Sequence, residues 1–287
     1  MWCPAKVNLY LRVVGRRPDG YHALVTVMQP LTLADELTVS LGGAGIRLKC
    51  DAPELPCGEE NLVWRAAQEF QQETGQKLGI LLSLRKRIPL SAGLGGGSSD
   101  AAGTLLALNE LTGRPCTQER LHLLASLLGA DVPFFLKRQP AVGRGIGTRL
   151  SPVTLLPYWY LLANPGVPLA TRWVYENLDL ASLPEPPGEE TWDPEHPESW
   201  VRNDLGPVAL KRFPELRKLL DELRAAGAWA QGISGSGPTL FGLFPSREAA
   251  QQAGLELRQN FRGWLAVARG LTGPEPEATW ENDAWMI

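Results

Sequence analysis

Histidine is scarce in this chain, with three in 287 residues, and the four cysteines add little metal-binding capacity. Cys3, Cys50, Cys57 and Cys116 form no CxxC pair and no His/Cys ligand spacing, which argues against a zinc site. Reduced thiols in a cytoplasmic protein are the simpler reading. Long apolar runs are missing as well, because Pro157, Pro165 and Pro168 break the best candidate. Nor does a charged segment followed by an apolar core open the chain, so neither a membrane span nor a signal peptide is expected. An excess of one charge is also absent: 28 Lys and Arg against 31 Asp and Glu leave a net charge of −3. That balance gives no electrostatic case for a nucleic-acid or anionic-membrane partner. Two familiar nucleotide motifs fail too. No GxxxxGK[ST] occurs, and GxGxxG is broken where Ser98 stands in place of its last glycine.

Apolar residues make up 44% of the chain, enough for one large or two ordinary cores. In "KVNLYLRVV", Val7, Leu9, Leu11 and Val13 alternate with Lys6, Asn8, Tyr10 and Arg12. This period of two predicts a strand with Lys6 and Asn8 on one face. Further strands are expected at Leu24–Thr32, Glu36–Leu41, Ile46–Cys50 and Ile80–Lys86. Asn61 can cap a helix that ends near Gly75, Ser98 or Ser99 a second, and Thr117 a third stopped by Gly129. Prolines at Ser151–Pro157 suggest a change of domain, giving expected domains of 1–152 and 153–287. Beyond it, strands at Tyr158–Ala163 and Trp264–Arg269, a hairpin at Trp229–Phe244, and helices near Thr171, Pro214 and Ser246 are expected. Proline and acid crowd "LPEPPGEETWDPEHPES" at Leu183–Ser199, which reads as a mobile surface loop.

"SAGLGGGSSDAAG", Ser91–Gly103, places five glycines before a helical pattern. Glycine weakens regular structure by about 0.5–1 kcal/mol against alanine, so the stretch needs a reason. One reading is a tight turn with close helix packing. The other is a phosphate cradle: unpaired N–H groups at a helix N-terminus attract anions, and glycines leave the backbone bare. A second small-residue loop, "GISGSGPTLFGLF" at Gly232–Phe244, contains Gly235 and could be merely a hairpin turn. In "LLGADVPFFL", Asp131 is either a cap or turn residue or the ionised partner of Lys6. Tyr21 and His22 follow a turn and could stack on and hydrogen-bond a planar ligand, or serve structure only.

Together, "PAKVNLYLRVVGRRPDGYH" (Pro4–His22), "IPLSAGLGGGSSDAA" (Ile88–Ala102), "GADVPFF" (Gly129–Phe135) and "GISGSGPTLFGLF" resemble the GHMP kinase superfamily over nearly the whole chain. The resemblance implies an α+β, two-domain fold: an N-terminal mixed sheet with helices, like domain 2 of ribosomal protein S5, and a C-terminal ferredoxin-like antiparallel sheet with helices. It implies ATP as phosphoryl donor and Mg2+, with the ATP-phosphate loop on Pro89, Leu90, Ser91, Ala92, Gly93, Leu94, Gly95, Gly96, Gly97, Ser98 and Ser99. Lys6 and Asp131 become the catalytic pair, and the metal ligand stays unassigned. Asn8, Tyr21, His22, Thr171, Tyr175 and Gly235 become the substrate pocket, with Trp173 competing with Tyr175 to be the second aromatic beside a cytidine ring. The "GRRPDGYH" opening points to the branch whose small-molecule substrate is 4-diphosphocytidyl-2-C-methyl-D-erythritol, acting in the cytoplasm as a monomer or weak homodimer. Asp100 stands where the family often has asparagine, Gly206 where an acid is common, and the tail "TWENDAWMI" matches nothing.

Overall fold

The computed structural model describes residues 1–183, 190–275, 280 and 284–287. In chain order the first elements are β1 (Trp2–Arg16), β2 (His22–Leu41), β3 (Ile46–Cys50), α1 (Leu62–Thr74), β4 (Ile80–Arg85), α2 (Gly96–Leu111), α3 (Gln118–Leu128) and α4 (Val132–Phe135). There follow β5 (Ala141–Gly145), β6 (Arg149–Pro152), β7 (Trp159–Asn164), α5 (Thr171–Glu176), β8 (Arg202–Asn203), α6 (Gly206–Arg212) and α7 (Glu215–Ala225). The last are β9 (Ala230–Ile233), β10 (Leu240–Phe244), α8 (Arg247–Arg258), β11 (Trp264–Arg269) and β12 (Trp285–Met286). No helix among the described residues is long and apolar enough to cross a membrane. The chain clusters into two compact units, and both β1 and β2 pass from one unit to the other along their length.

The first unit comprises residues 1–5, 34–90 and 95–138. The second half of β2 pairs antiparallel with β4, from Glu36 with Arg85 to Leu41 with Ile80, and β4 pairs parallel with β3. Helices α1, α2 and α3 pack on one another around Ala66, Ala67, Phe70, Ala101, Ala102, Leu105, Leu121 and Leu124, all buried. Local signals set their ends. Asn61 accepts a hydrogen bond from Val63 N at 2.9 Å, Thr117 accepts one from Arg120 N at 3.3 Å, and Gly75 closes α1 at φ 68°.

The second unit comprises residues 6–33, 91–94 and 139–287. The first half of β2 pairs with β5, from Leu24 with Gly145 to Met28 with Ala141, and β5 pairs with β6. Strand β1 takes β8 as a short parallel neighbour, Tyr10 beside Arg202. A five-stranded antiparallel sheet, ordered β12-β11-β7-β10-β9, forms the other layer, with α7 and α8 against it. Leu161, Leu216, Leu223, Leu240, Phe244 and Leu265 belong to its core. The expected gap between Thr32 and Glu36 does not exist, since one strand runs from His22 to Leu41. Strands β5, β6 and β8 went unread because each is short and bounded by glycine or charge.

Of the loop expected to be exposed and mobile at 183–199, residues 184–189 lie outside the described residues. Residues 191, 193, 195, 196, 198 and 199 are exposed, as a surface loop requires, while Glu190, Trp192, Pro197 and the Trp200 that follows anchor the stretch to the chain. The Glu190 carboxylate accepts hydrogen bonds from Arg12 at 3.1 Å and from the Tyr10 hydroxyl at 3.3 Å. Trp192 packs edge-on to Tyr10, and Trp200 is buried with its indole N–H donating to Asp193 O at 2.6 Å. Aromatic surface outweighs the acidic composition of this stretch. In the tail, Trp280 is buried and β12 pairs with β11.

Candidate active site

The glycine-rich stretch serves two physical purposes. Gly95 sits at the N-cap of α2 in the left-handed region, at φ 72°, and Ser99 N makes the helix's first bond, to Gly95 O at 2.9 Å. The expectation that Ser98 or Ser99 caps the helix is therefore corrected: glycine takes the cap because only it adopts that backbone geometry without penalty. The amides of Gly96, Gly97 and Ser98 are left without intrahelical acceptors, at an N-terminus that carries partial positive charge. Gly93 has a different reason. At φ 74°, a Cβ on it would lie 2.3 Å from Ser234 O and 2.9 Å from Gly237 O. Close packing explains Gly93, and the bare helix start is formed by the residues that follow.

Gly93 and Ser234 join the two small-residue loops within the second unit. The Ser234 hydroxyl donates to Gly93 O at 2.9 Å and accepts from Asn8 N at 3.2 Å. Thr239 N donates to Ala92 O at 3.3 Å, and Lys6 N to Leu94 O at 2.9 Å. On the face of β1 expected from its alternation, the Lys6 ammonium donates to Asn8 Oδ1, and both side chains are about 3% exposed. Asn8 Nδ2 donates to the Thr26 hydroxyl at 2.8 Å, which in turn donates to Tyr10 O at 2.7 Å. Gly235 closes on this group: a Cβ there would lie 3.2 Å from Asn8 Oδ1 and 3.7 Å from Lys6 Nζ. A buried ammonium and amide beside Gly235 make a polar cluster in an otherwise apolar layer.

Thr171 stands at the start of α5, its hydroxyl 2.8 Å from that of Ser236. One turn on, Tyr175 stacks on His22, ring centroids 5.1 Å apart and planes 24° from parallel. Both Tyr175 and Trp173 pack against the core, but Trp173 has Arg212 5.8 Å from its ring where Tyr175 has His22. Tyr21, beside His22 in sequence, is 62% exposed and so offers an open aromatic face. Burial, and then the nearby Arg16 charge, hold the His22 imidazole below its ordinary pKa of 6.5. It is neutral at neutral pH and can both donate and accept.

Lys6 belongs to the second unit and Asp131 to the first. Asp131 occupies the N-cap position of α4, where Pro133 follows in the first turn, yet its carboxylate makes no capping hydrogen bond. Asp131 lies in a turn, as the turn half of the structural alternative has it, without a side-chain cap. Pro89, Leu90 and Gly95–Ser99 also lie in the first unit, whereas Ser91–Leu94 lie in the second.

Three groups of positioning residues escaped the reading of the sequence. Asn203 donates to Ile233 O at 2.7 Å and to Gly235 O at 2.6 Å, holding the loop that carries Gly235. Asp204 accepts from Val13 N at 3.0 Å and from Arg202 at 2.7 Å. In the first unit the Lys86 ammonium is clamped between Asp35 and Asp100, 2.7 Å from Asp100 Oδ2. Polar residues in "RND" and single acids such as Asp35 and Asp100 carry no spacing that announces such contacts. Among the described residues no three His, Cys, Asp or Glu side chains are grouped to hold a metal ion. The Lys86 ammonium already occupies one oxygen of each carboxylate in the buried Asp35–Asp100 pair, so these carboxylates do not suit a Mg2+ site.

Comparison with known proteins defines the class of this site. The GHMP kinases N terminal domain matches residues 61–139, and the GHMP kinases C terminal domain matches residues 196–263. The chain belongs to the GHMP kinase family. Within it, the chain is 44% identical over 271 residues to 4-diphosphocytidyl-2-C-methyl-D-erythritol kinase of Geobacter sp. strain M21, covering 92% of this chain and 96% of that protein. The enzyme of the same name from Citrifermentans bemidjiense is 44% identical over 273 residues, with the same coverage. A crystal structure of 4-(cytidine 5'-diphospho)-2C-methyl-D-erythritol kinase matches with a TM-score of 0.82 at 39% identity, covering 94% of this chain and 99% of that one. Homoserine kinase from Cytophaga hutchinsonii, TM-score 0.72 at 20% identity over all of this chain and 96% of that one, shares the fold.

Proposed function

We propose that this chain is a small-molecule kinase that transfers the γ-phosphoryl group of ATP to the 2-hydroxyl of 4-diphosphocytidyl-2-C-methyl-D-erythritol. The products are ADP and the 2-phosphate, an intermediate of the non-mevalonate route to isoprenoid precursors. The observation that carries the reading is the buried Lys6–Asn8 pair beside Gly235, on the same strand whose "GRRPDGYH" continuation supplies the His22–Tyr175 stack. A buried polar pair on β1 and an aromatic stack between the start of β2 and α5 suit a ligand with a polyol at one end and a base at the other.

Phosphoryl transfer asks a protein mainly for positioning and charge stabilisation. The amides of Gly96, Gly97 and Ser98 hold the triphosphate at the α2 N-terminus. Asp131 accepts the proton of the 2-hydroxyl as that oxygen bonds to the γ-phosphorus and the bond to the β–γ bridging oxygen breaks. Lys6 offsets charge on the transferring group. Asn8, held by Thr26, orients the ammonium, and the exposed Tyr21 ring with the His22–Tyr175 stack supplies the aromatic surface for the cytosine. Magnesium, arriving with the triphosphate, would offset phosphate charge and take its ligands mainly from phosphate oxygens. The enzyme is expected to work in the cytoplasm, as a monomer or weak homodimer, with no nucleic-acid or membrane partner.

An ADP-release assay comparing the cytidyl substrate with mevalonate and homoserine tests the activity. Turnover with the cytidyl compound alone is expected; turnover only with one of the others overturns the substrate while keeping the class. For the catalytic pair, Asp131→Asn should retain binding of both substrates and lose about 10²-fold or more in kcat. Wild-type turnover in that variant removes the proton-acceptor role.

A further inference from the structure

The cluster of Lys86, Asp35 and Asp100 lies immediately beneath the start of α2. Asp35 and Asp100 are about 0% and 1% exposed, and Lys86 comes from the residue just after β4. A Cβ on Gly96 would stand 3.2 Å from Lys86 Nζ and 3.3 Å from Asp35 Oδ2, so the first helical residue rests directly on the cluster. Asp35 is the better satisfied acid, since Oδ1 accepts from Arg87 N at 2.6 Å and Ile88 N at 2.9 Å while Oδ2 takes Lys86. Asp100 is not. Its Oδ2 accepts from Lys86, but Oδ1 is buried with no hydrogen-bond partner, as is the neighbouring Ser99 hydroxyl. One ammonium serves two carboxylates, so a single proton decides whether the cluster is neutral or carries one negative charge.

We propose that Asp100 is a positioning residue for the phosphate-binding end of α2, and that its protonation state sets the affinity of the loop for nucleotide. This rests on the reading of Gly96–Ser98 as the phosphate cradle. Uncharged, Asp100 leaves Lys86 balanced by Asp35, and the amides above face phosphate with the full positive end of the helix. Ionised, it adds a negative charge below those amides, in a site screened little by solvent. Burial, followed by the adjacent Asp35 charge, raises the Asp100 carboxyl from 3.8 to about 8, with Lys86 opposing. The same two carboxylates more than offset the cost of burial for Lys86 and keep its pKa raised, so the ammonium persists through this range. Of the remaining groups nearby, the Cys3 thiol on β1 is held far above its usual range, chiefly by burial and next by Asp100, with Arg138 and the N-terminal amine acting the other way. Asp100 is therefore the group of the cluster that changes charge near neutrality.

The test is ADP binding by calorimetry and the KM for ATP, each from pH 6.5 to 9, on the wild-type enzyme and on Asp100→Asn. In the wild type, nucleotide affinity should fall roughly three- to tenfold above pH 8, with the KM for the cytidyl substrate unchanged. Asp100→Asn should flatten that fall and bind more tightly than wild type at pH 9. A flat wild-type profile, or an equal fall in the variant, overturns the proposal; the wild-type arm decides even if the variant folds poorly. Gly97→Val separates this from the underlying reading, since a Cβ there meets nothing nearer than Leu62 Cδ1 at 3.7 Å. If Gly97→Val binds ADP normally, the cradle reading fails and this proposal with it. If it loses ADP while Asp100→Asn keeps the wild-type pH slope, only the role of Asp100 fails.

Discussion

Gly93 and Ser234, 141 residues apart, meet so closely that a Cβ on the glycine would lie 2.3 Å from the serine carbonyl oxygen. Neither backbone can yield alone, because the Ser234 hydroxyl also bonds Gly93 O and Asn8 N. Gly93→Ala should cost about 2–4 kcal/mol, from the left-handed backbone and the displaced loop together. Chemical denaturation measures it. A loss under half a kilocalorie would mean that the loops part without penalty.

Ser234→Ala isolates the hydroxyl from the packing. It leaves Asn8 N and Gly93 O without their buried partner, at a cost of about 1–3 kcal/mol. Because Asn8 holds the Lys6 ammonium, kcat should fall more than the KM for ATP. A pure stability loss with unchanged kcat would detach Ser234 from the chemistry.

Tyr175→Ala should raise the KM for the cytidyl substrate by about tenfold, in line with base stacking worth about 1–3 kcal/mol, and leave the KM for ATP alone. Trp173→Ala should leave both KM values near wild type, while both variants lose some stability because both rings pack against the core. Reversed outcomes would exchange the roles of the two aromatics.

His22 has a pKa depressed below 6.5, so neutral imidazole is the native form. The stability and substrate affinity that depend on it are present above pH 6.5 and lost as pH falls through the lower, folded value. The acid limb of kcat/KM for the cytidyl substrate is expected below the ordinary histidine range and should be absent in His22→Gln. A limb that survives in the variant belongs to another group.

Asp100 works with the opposite sign. Its carboxyl is raised from 3.8 to about 8, so the protein loses stability as pH climbs between those values and is level above them. Asp100→Asn removes that loss and should gain about 1–3 kcal/mol on wild type between pH 5 and pH 8.5, read from urea midpoints. Parallel curves would place the titration elsewhere.

Helices with a capping residue and a glycine stop, α1 and α3 above all, were legible because their signals are local. So was the row Lys6, Asn8, Tyr10, Arg12, which follows from a period of two. The start of α2 misled, since two serines look like caps while the actual cap is a glycine whose value lies in its backbone angle. The Gly93–Ser234 approach, the Asn203 ties and the Lys86 clamp depend on partners 14 to 141 residues away, and no spacing in one chain encodes such meetings. The docked stretch around Glu190 and Trp192 was hidden by its composition, because proline and acid outnumber the two tryptophans that anchor it.

Strands β1 and β2 are each divided between the two compact units, which take their residues from three separate stretches of chain apiece. No single cut in the gene therefore releases either unit whole, and a fragment or a half-and-half chimera inherits severed strands from both. Recombination among relatives should tolerate exchanges confined to surface connections far better than any swap that trades one end of the polypeptide for another.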